Sequence, residues 1–380
     1  MALVLREHNS EVNNIVFSPT TPTLASADYS GLILLSDALT GQLIHRLEHH
    51  SGIINGLVFT TSGSHLLSIG QDHLLALWDV NRGILLSSIE VAPDFVESFV
   101  LTLNDSHIII AGSNVVGYGE DETTVDVLTR CHITEDLKLT HLITRRPDVA
   151  IHYLQNKNDN IIGIRMIGDR IWVCDIVNGH EIQQLDGKIS FLQGMVISPN
   201  GFFLATSDAS RHIIQLWNIA SGQQLHRLQG HSELIYCLEF NPKGNLLASG
   251  SADNTVRIWD VSKGLELEKF TGHTELIWDI AFSSDGKLLA SASTDGTVII
   301  WPLRTKLTPI KRASVESSNI ASIGYSMEDR ILEVEFHGGS VYQYYEVPVD
   351  VYIELMNSNS HGIYFDAYVK KAAYRYSKIT

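Results

Sequence analysis

Histidine, serine and aspartate recur in this chain at fixed spacing, and together they are the residue types of a nucleophilic triad. His50, Ser68 and Asp72 form one set, His231, Ser249 and Asp253 a second, and His273, Ser291 and Asp295 a third. In each set serine follows histidine by 18 residues and aspartate follows serine by four. An aspartate orienting an imidazole that takes a proton from serine is the chemistry of acyl transfer. A tryptophan six residues after each aspartate (Trp78, Trp259 and Trp301) belongs to no such mechanism. An active site has no reason to occur three times, whereas a brace in a repeated unit does. Once buried, the four side chains can satisfy one another's hydrogen-bonding groups, so the sets read as structural.

The elements that position them form a repeat. Residues 228–264 and 270–302 align at an offset of 42, and residues 47–83 fit the same frame. LEF, LLASGS and VRIW are short strand sequences, NPKG and SSDG are turns, and SADNT and STDGT are tight connections. Each unit is therefore a small antiparallel sheet that cannot bury its faces alone. The other copies are worn. The first keeps His8 and Ser26 but has Ser30 and Ser36 at the aspartate and tryptophan positions. The third and fourth, near 90–129 and 135–179, are the weakest, and the fifth (185–222) has Lys188 at the histidine position. Ends at Asp37, Asp79, Asp126, Asp175, Asn218, Asp260 and Trp301 count seven units.

The GH…LASGS.D.TVRIWD pattern resembles the WD40 family over residues 1–302. The resemblance implies a mainly β chain, a seven-bladed β-propeller with four strands per blade, and a His–Ser–Asp–Trp tetrad inside a blade. Each unit opens with an outer strand before its histidine, and the last unit lacks one after Trp301. ALVLR ahead of His8 is expected to supply it and close the ring. In the family's frame the residue five after the histidine starts the innermost strand and faces the top surface. Asn13, Asn55, Gln193, Tyr236 and Trp278 stand there, and the offset of 42 adds Glu97 for the third unit. Tyr236 and Trp278 are candidates for a partner-binding hot spot, since such sites favour large aromatics. Gln71, Ala252 and Thr294, each before a turn aspartate, would line the same rim.

Composition narrows the function. The formal charge is −16 over 380 residues, which argues against a general nucleic-acid or anionic-membrane binder. Cys131, Cys174 and Cys237 lie far apart with no CxxC pair, as in a reducing compartment. No secretory leader or apolar membrane span is evident, so a soluble, cytoplasmic protein is expected. No phosphate-binding, metalloprotease or nucleophile-elbow motif occurs, and neither cofactor nor metal is expected.

The repeat stops at 302, a linker is read over 303–315, and a separate small α+β module over 316–380. Nine of the 13 tyrosines lie there and none of the six tryptophans. IASIGY, ILEVEF and SVYQYYEV alternate as strands; Val349, Tyr352, Ile353 and Met356 mark a helix face; IYFDAYVKKAAYRY reads as a second helix or an extended ending. The stretch from SSNIASIGY to SHGIYF resembles the KTSC domain, a short bacterial module whose activity is not established and for which RNA binding has been suggested. Tyr342 and Tyr344 share one strand face and would stack on bases. Lys370, Lys371, Arg375 and Lys378 form a basic strip among tyrosines, although residues 312–380 hold six Lys/Arg against nine Asp/Glu. The expected function is a non-enzymatic adaptor that binds partner proteins through the propeller's top face, with the KTSC-like module as a second contact. The alternatives are an RNA- or DNA-associated factor and an enzyme with an unrecognised pocket.

Overall fold

The computed structural model describes every residue except 1, 91–94, 103, 117–122, 135–137, 146–152, 158–159, 168–169, 176–180, 186–193, 304–309, 328–329, 346, 373, 375 and 380. The chain divides into two compact units, Met1–Leu303 and Arg304–Thr380.

The first unit holds seven four-stranded antiparallel sheets. Blade six shows the pattern: Ile235–Phe240, Leu246–Ser251, Thr255–Asp260 and Leu265–Thr271 pair in chain order. The turn between its second and third strands puts Asn254 at φ 64°, where the matching position of blade seven uses Gly296 at 75°. Asparagine and glycine tolerate that left-handed conformation, which explains the ADNT and TDGT spellings.

The first strands of the seven blades begin at Val12, Ile54, Phe95, Tyr153, Met195, Ile235 and Ile277. Each meets the next, and the seventh meets the first, so the sheets close into a ring. The core lies between blades. Leu67 and Ile69 of the second pack on Ile108 and Ile110 of the third; Leu238 and Phe240 of the sixth pack on Ile214 and Leu216 of the fifth. Apolar clusters of this kind fill all seven junctions. A blade is thus stable only with neighbours, as the sequence of half-buried strands requires.

The N-terminal strand Leu3–Leu5 completes blade seven. It pairs antiparallel with Val298–Pro302, with Leu3 opposite Ile300 and Leu5 opposite Val298, as the missing outer strand predicted. The third repeat departs from expectation. Asp126 does not end it but lies inside the strand Thr123–Ile133, opposite Ser113. The second and third strands of this blade run 10 and 11 residues, against six in blade six, and carry the chain beyond the regular spacing.

In the second unit five antiparallel strands lie in the order Ala313–Ser314, Ile320–Ser326, Ile331–Phe336, Val341–Tyr344 and Tyr376–Lys378. Helices α1 (Val349–Asn357) and α2 (His361–Phe365), the latter running into a π-helical turn at Asp366–Lys370, share a core with the sheet. The tail after 361 is therefore helix first and strand afterwards. Two expectations need correction. Ala313–Ser314, read as linker, pairs with Ile323 and Ser322, and Arg312 bridges Glu333 and Glu335. A two-residue strand leaves no alternation to read. On α1 the packed face is Val351, Tyr352, Leu355 and Met356, while Val349 and Ile353 are exposed.

Candidate functional site

The three His–Ser–Asp–Trp sets assemble with nearly one geometry. His50 Nδ1 lies 2.9 Å from Asp72, Ser68 Oγ lies 2.7 Å from His50 Nε2, and Trp78 Nε1 donates to Ser68 at 2.8 Å. In blade six the corresponding distances are 2.9, 2.7 and 2.9 Å through His231, Asp253, Ser249 and Trp259. Blade seven repeats them through His273, Asp295, Ser291 and Trp301. The ionised carboxylate only accepts, so Nδ1 carries the histidine proton, Nε2 accepts from serine, and serine accepts from the indole. Burial lowers the pKa of all three histidines, against the raising effect of their aspartates. The aspartates are held below their ordinary value: burial would raise them, but hydrogen bonds from histidine and neighbouring groups outweigh it. Ser68, Ser249 and Ser291 are fully buried, so no substrate atom can reach their hydroxyls. The sets brace strands.

The first blade holds the same brace with a displaced acid. His8 Nδ1 lies 2.8 Å from Asp28 and its Nε2 2.7 Å from Ser26. Asp28, not the position of Ser30, supplies the carboxylate, and Ser30 donates to it through N–H and hydroxyl. The aspartate has moved to the strand end, two residues after the serine. Asp208 stands at the same offset from Thr206, which accepts from Trp217 Nε1 at 2.9 Å. Comparing those two repeats would have revealed it; Lys188 lies outside the described residues.

The candidate top-face residues share a structural origin. The pairing of the first and second strands slips by one residue at Asn13, Asn55, Glu97, Tyr236 and Trp278, so each occupies a β-bulge. A bulged residue leaves the ladder and its side chain is re-aimed, which frees Asn13, Asn55, Tyr236 and Trp278 from the alternation that buries their neighbours; the Glu97 side chain lies outside the described residues. Gln193 lies outside the described residues. Asn13 is partly committed, since its Nδ2 donates to Ile54 O of the next blade at 2.7 Å. Tyr236 and Trp278 are half-buried, with ring centroids 5.0 Å apart. At the rim Gln71 is exposed, and Ala252 and Thr294 are half-buried.

Three groups near this pair were not among the residues singled out. Tyr29 of blade one lies 6.2 Å from Trp278, centroid to centroid, which makes a row of three rings over blades six, seven and one. Asp279 accepts from Ile15 N of blade one at 2.9 Å. Glu239 accepts from Phe282 N of blade seven at 2.7 Å. Burial pushes the Asp279 carboxyl up to about 7, against the N–H groups that lower it. Burial, then repulsion from Asp279, raises Glu239 well above the usual carboxylate range. A signal existed in LEF and WDIAF, where an acid interrupts an apolar strand; Tyr29 stands 21 residues after His8, as the rim residues Gln71, Ala252 and Thr294 do after their histidines, and the loss of the turn aspartate at Ser30 masked it.

In the C-terminal unit Tyr344 is only 6% exposed and packs edge-on against Phe365. Tyr342 is half-buried against Phe336. The pair therefore belongs to the core and rim of the sheet, and the face read as a stacking platform is covered by α2. Lys370, Lys371 and Lys378 are exposed, Lys370 lies 3.7 Å from Asp366, and Arg375 lies outside the described residues. All three cysteines are buried thiols outside any disulfide, and burial pushes Cys131 up to about 12. Among the described residues no cluster of three metal-ligating side chains occurs, and no helix is long and apolar enough to cross a membrane.

Seven four-stranded sheets in a ring, braced by buried His–Ser–Asp–Trp sets, define a WD-repeat β-propeller. Residues 2–37, 41–79, 222–260 and 264–302 match the WD domain, G-beta repeat family, and residues 316–376 match the KTSC domain family. The chain belongs to the WD-repeat family and carries a C-terminal KTSC domain. It is similar to an uncharacterised protein of Stutzerimonas stutzeri, 41% identical over 70 residues that are 18% of this chain and 99% of that one. It is also similar to a periodic tryptophan protein 2 homolog of Neurospora crassa, 39% identical over 61 residues, 16% of this chain and 7% of that protein. Similarity to autophagy-related protein 18 of Schizosaccharomyces pombe is 28% over 149 residues, 38% of this chain and 39% of that one. The chain thus spans under half the length of the two named relatives.

Proposed function

We propose that the protein is a non-enzymatic interaction scaffold, with the bulge-bearing face of its propeller as the docking surface for partner proteins. The observation that carries this reading is the β-bulge recurring at the same point in five blades, with the contacting pair Tyr236 and Trp278 at two of them. A bulge costs ladder pairing and re-aims the side chain that it carries, so its recurrence is suited to presenting residues on a common face. Closed burial of the only repeated Ser–His–Asp sets favours a binding role over catalysis by them. The KTSC domain is a second interaction module in this reading; burial of Tyr344 favours a protein partner over base stacking there. The test is affinity capture from the native host with the full chain and with a Tyr236→Ala/Trp278→Ala variant. The expected result is that the variant melts at an unchanged temperature and loses the captured proteins. Retention of the same proteins by a folded variant would refute the docking surface.

A further inference from the structure

The docking face brings together two kinds of group that select one ligand chemistry. Tyr29, Trp278 and Tyr236 form a row of rings, 6.2 and 5.0 Å between successive centroids, and each keeps part of its surface accessible. The negative face of such rings attracts a cation within about 6 Å. Trp278 Nε1 has no hydrogen-bond partner, so the indole is not spent on a structural bond of the kind that fixes Trp78, Trp259 and Trp301.

The strands that carry Tyr236 and Trp278 also carry two carboxylates, Glu239 and Asp279, with no counter-charge among the described residues. Asp279 follows Trp278 directly, and Glu239 is close enough to repel it. Among the described residues both bond to backbone N–H groups, Ile15 and Ile280 for Asp279 and Phe282 for Glu239. Among the described residues no lysine, arginine or histidine contributes to the electrostatics of either. Glu11 adds a further negative charge beside Tyr29. Elsewhere in the same ring, buried carboxylates do have cationic or imidazole partners, as Asp253 has His231 and Arg257. Glu239 and Asp279 differ from the acids of the braces, which have an imidazole beside them. Their raised pKa values express the same deficit, which a cation would remove.

We infer that the partner protein presents a lysine or arginine side chain to this site, its stem on Tyr236 and Trp278 and its cation directed at Glu239 and Asp279. The inference rests on the docking reading above and names the partner's chemistry. Acids at this mouth favour a cationic partner over a phosphate backbone.

The test uses the full chain and short synthetic peptides, uncharged except at one central position that is arginine, lysine, glutamine, leucine or glutamate. Binding is read by fluorescence anisotropy. The arginine or lysine peptide should bind about tenfold tighter than its glutamine and leucine counterparts. Trp278→Ala and Glu239→Gln should each abolish most of that preference. Equal binding of the leucine or glutamine peptide, absence of binding by any peptide up to millimolar concentration, or a preference unchanged in Glu239→Gln overturns the inference. The native capture separates the two levels. If Tyr236→Ala/Trp278→Ala loses its partners while Glu239→Gln keeps them all, the docking face stands and the cation site falls. If the double variant keeps its partners, the face itself falls.

Discussion

At the scale of residues, this protein treats its buried acids in two opposite ways. Asp253 sits in a brace where every polar atom has a use: it accepts from His231, Thr255 and the Ser232 N–H. Asp253→Ala strands the buried His231 Nδ1 and should cost about 1–3 kcal/mol, measured as a shift in the urea midpoint at pH 7. No shift would mean that the brace carries no stability. Glu239 is the reverse case. Among the described residues Asp279, Cys237 and Tyr153 are the titratable groups around it, and none is cationic. Its folded pKa lies above the unfolded one, so the folded state binds more protons and stability falls as pH rises from about 4.5 through the raised value. Glutamine keeps the acceptor for Phe282 N and cannot ionise. Glu239→Gln should therefore melt higher than the parent at pH 8, with the gap closing by about pH 4.5; a gap independent of pH would show that ionisation is not the cause. Of these residues the repeat spacing made Asp253 legible, because three copies agree. It passed over Asp28, because the acid there moved along the strand while keeping its bond to histidine. Glu239 and Asp279 were visible only as charges in apolar strands, since their significance depends on a blade 42 residues away meeting them.

At the scale of elements, closure is the critical event. The strand Leu3–Leu5 covers the third strand of blade seven, and Leu5 joins the apolar cluster that bonds blade seven to blade one. Deleting residues 1–7 removes this pairing and exposes an edge at a junction on which the whole ring depends. A sharply lowered melting temperature is expected, with a broadened transition as the ring opens; an unchanged midpoint by circular dichroism would disprove the closure. The same scale explains the expectations that failed. Strands of regular length keep the repeat in step, so blades two, six and seven were readable. Blade three lengthens two strands, and the register carried over from its neighbours then pointed inside a strand. In the KTSC domain, Val349 and Ile353 satisfied a helical period but face solvent, because α1 packs through the adjacent stripe of Val351, Tyr352, Leu355 and Met356. Periodicity identifies a helix; which stripe it buries depends on what lies beneath it.

At the scale of the whole molecule, a ring of interdependent blades is suited to holding a binding face rigid. Its stability is spread over seven junctions, so the bulge residues are free to serve recognition. The peptide and capture experiments belong to this scale, since they ask what the assembled face selects. The sequence by itself determined the repeat, the strands, the tetrads, the closing strand and the existence of a second domain, because these follow from local patterning and from copies that agree. Only the tertiary structure decided that the top-face residues are bulges, that Tyr344 is core, and that Tyr29, Trp278 and Tyr236 line up beside two unpaired carboxylates. The physical reason is that these properties arise between blades, where residues from distant repeats meet, and no single repeat contains the partner that gives each residue its meaning.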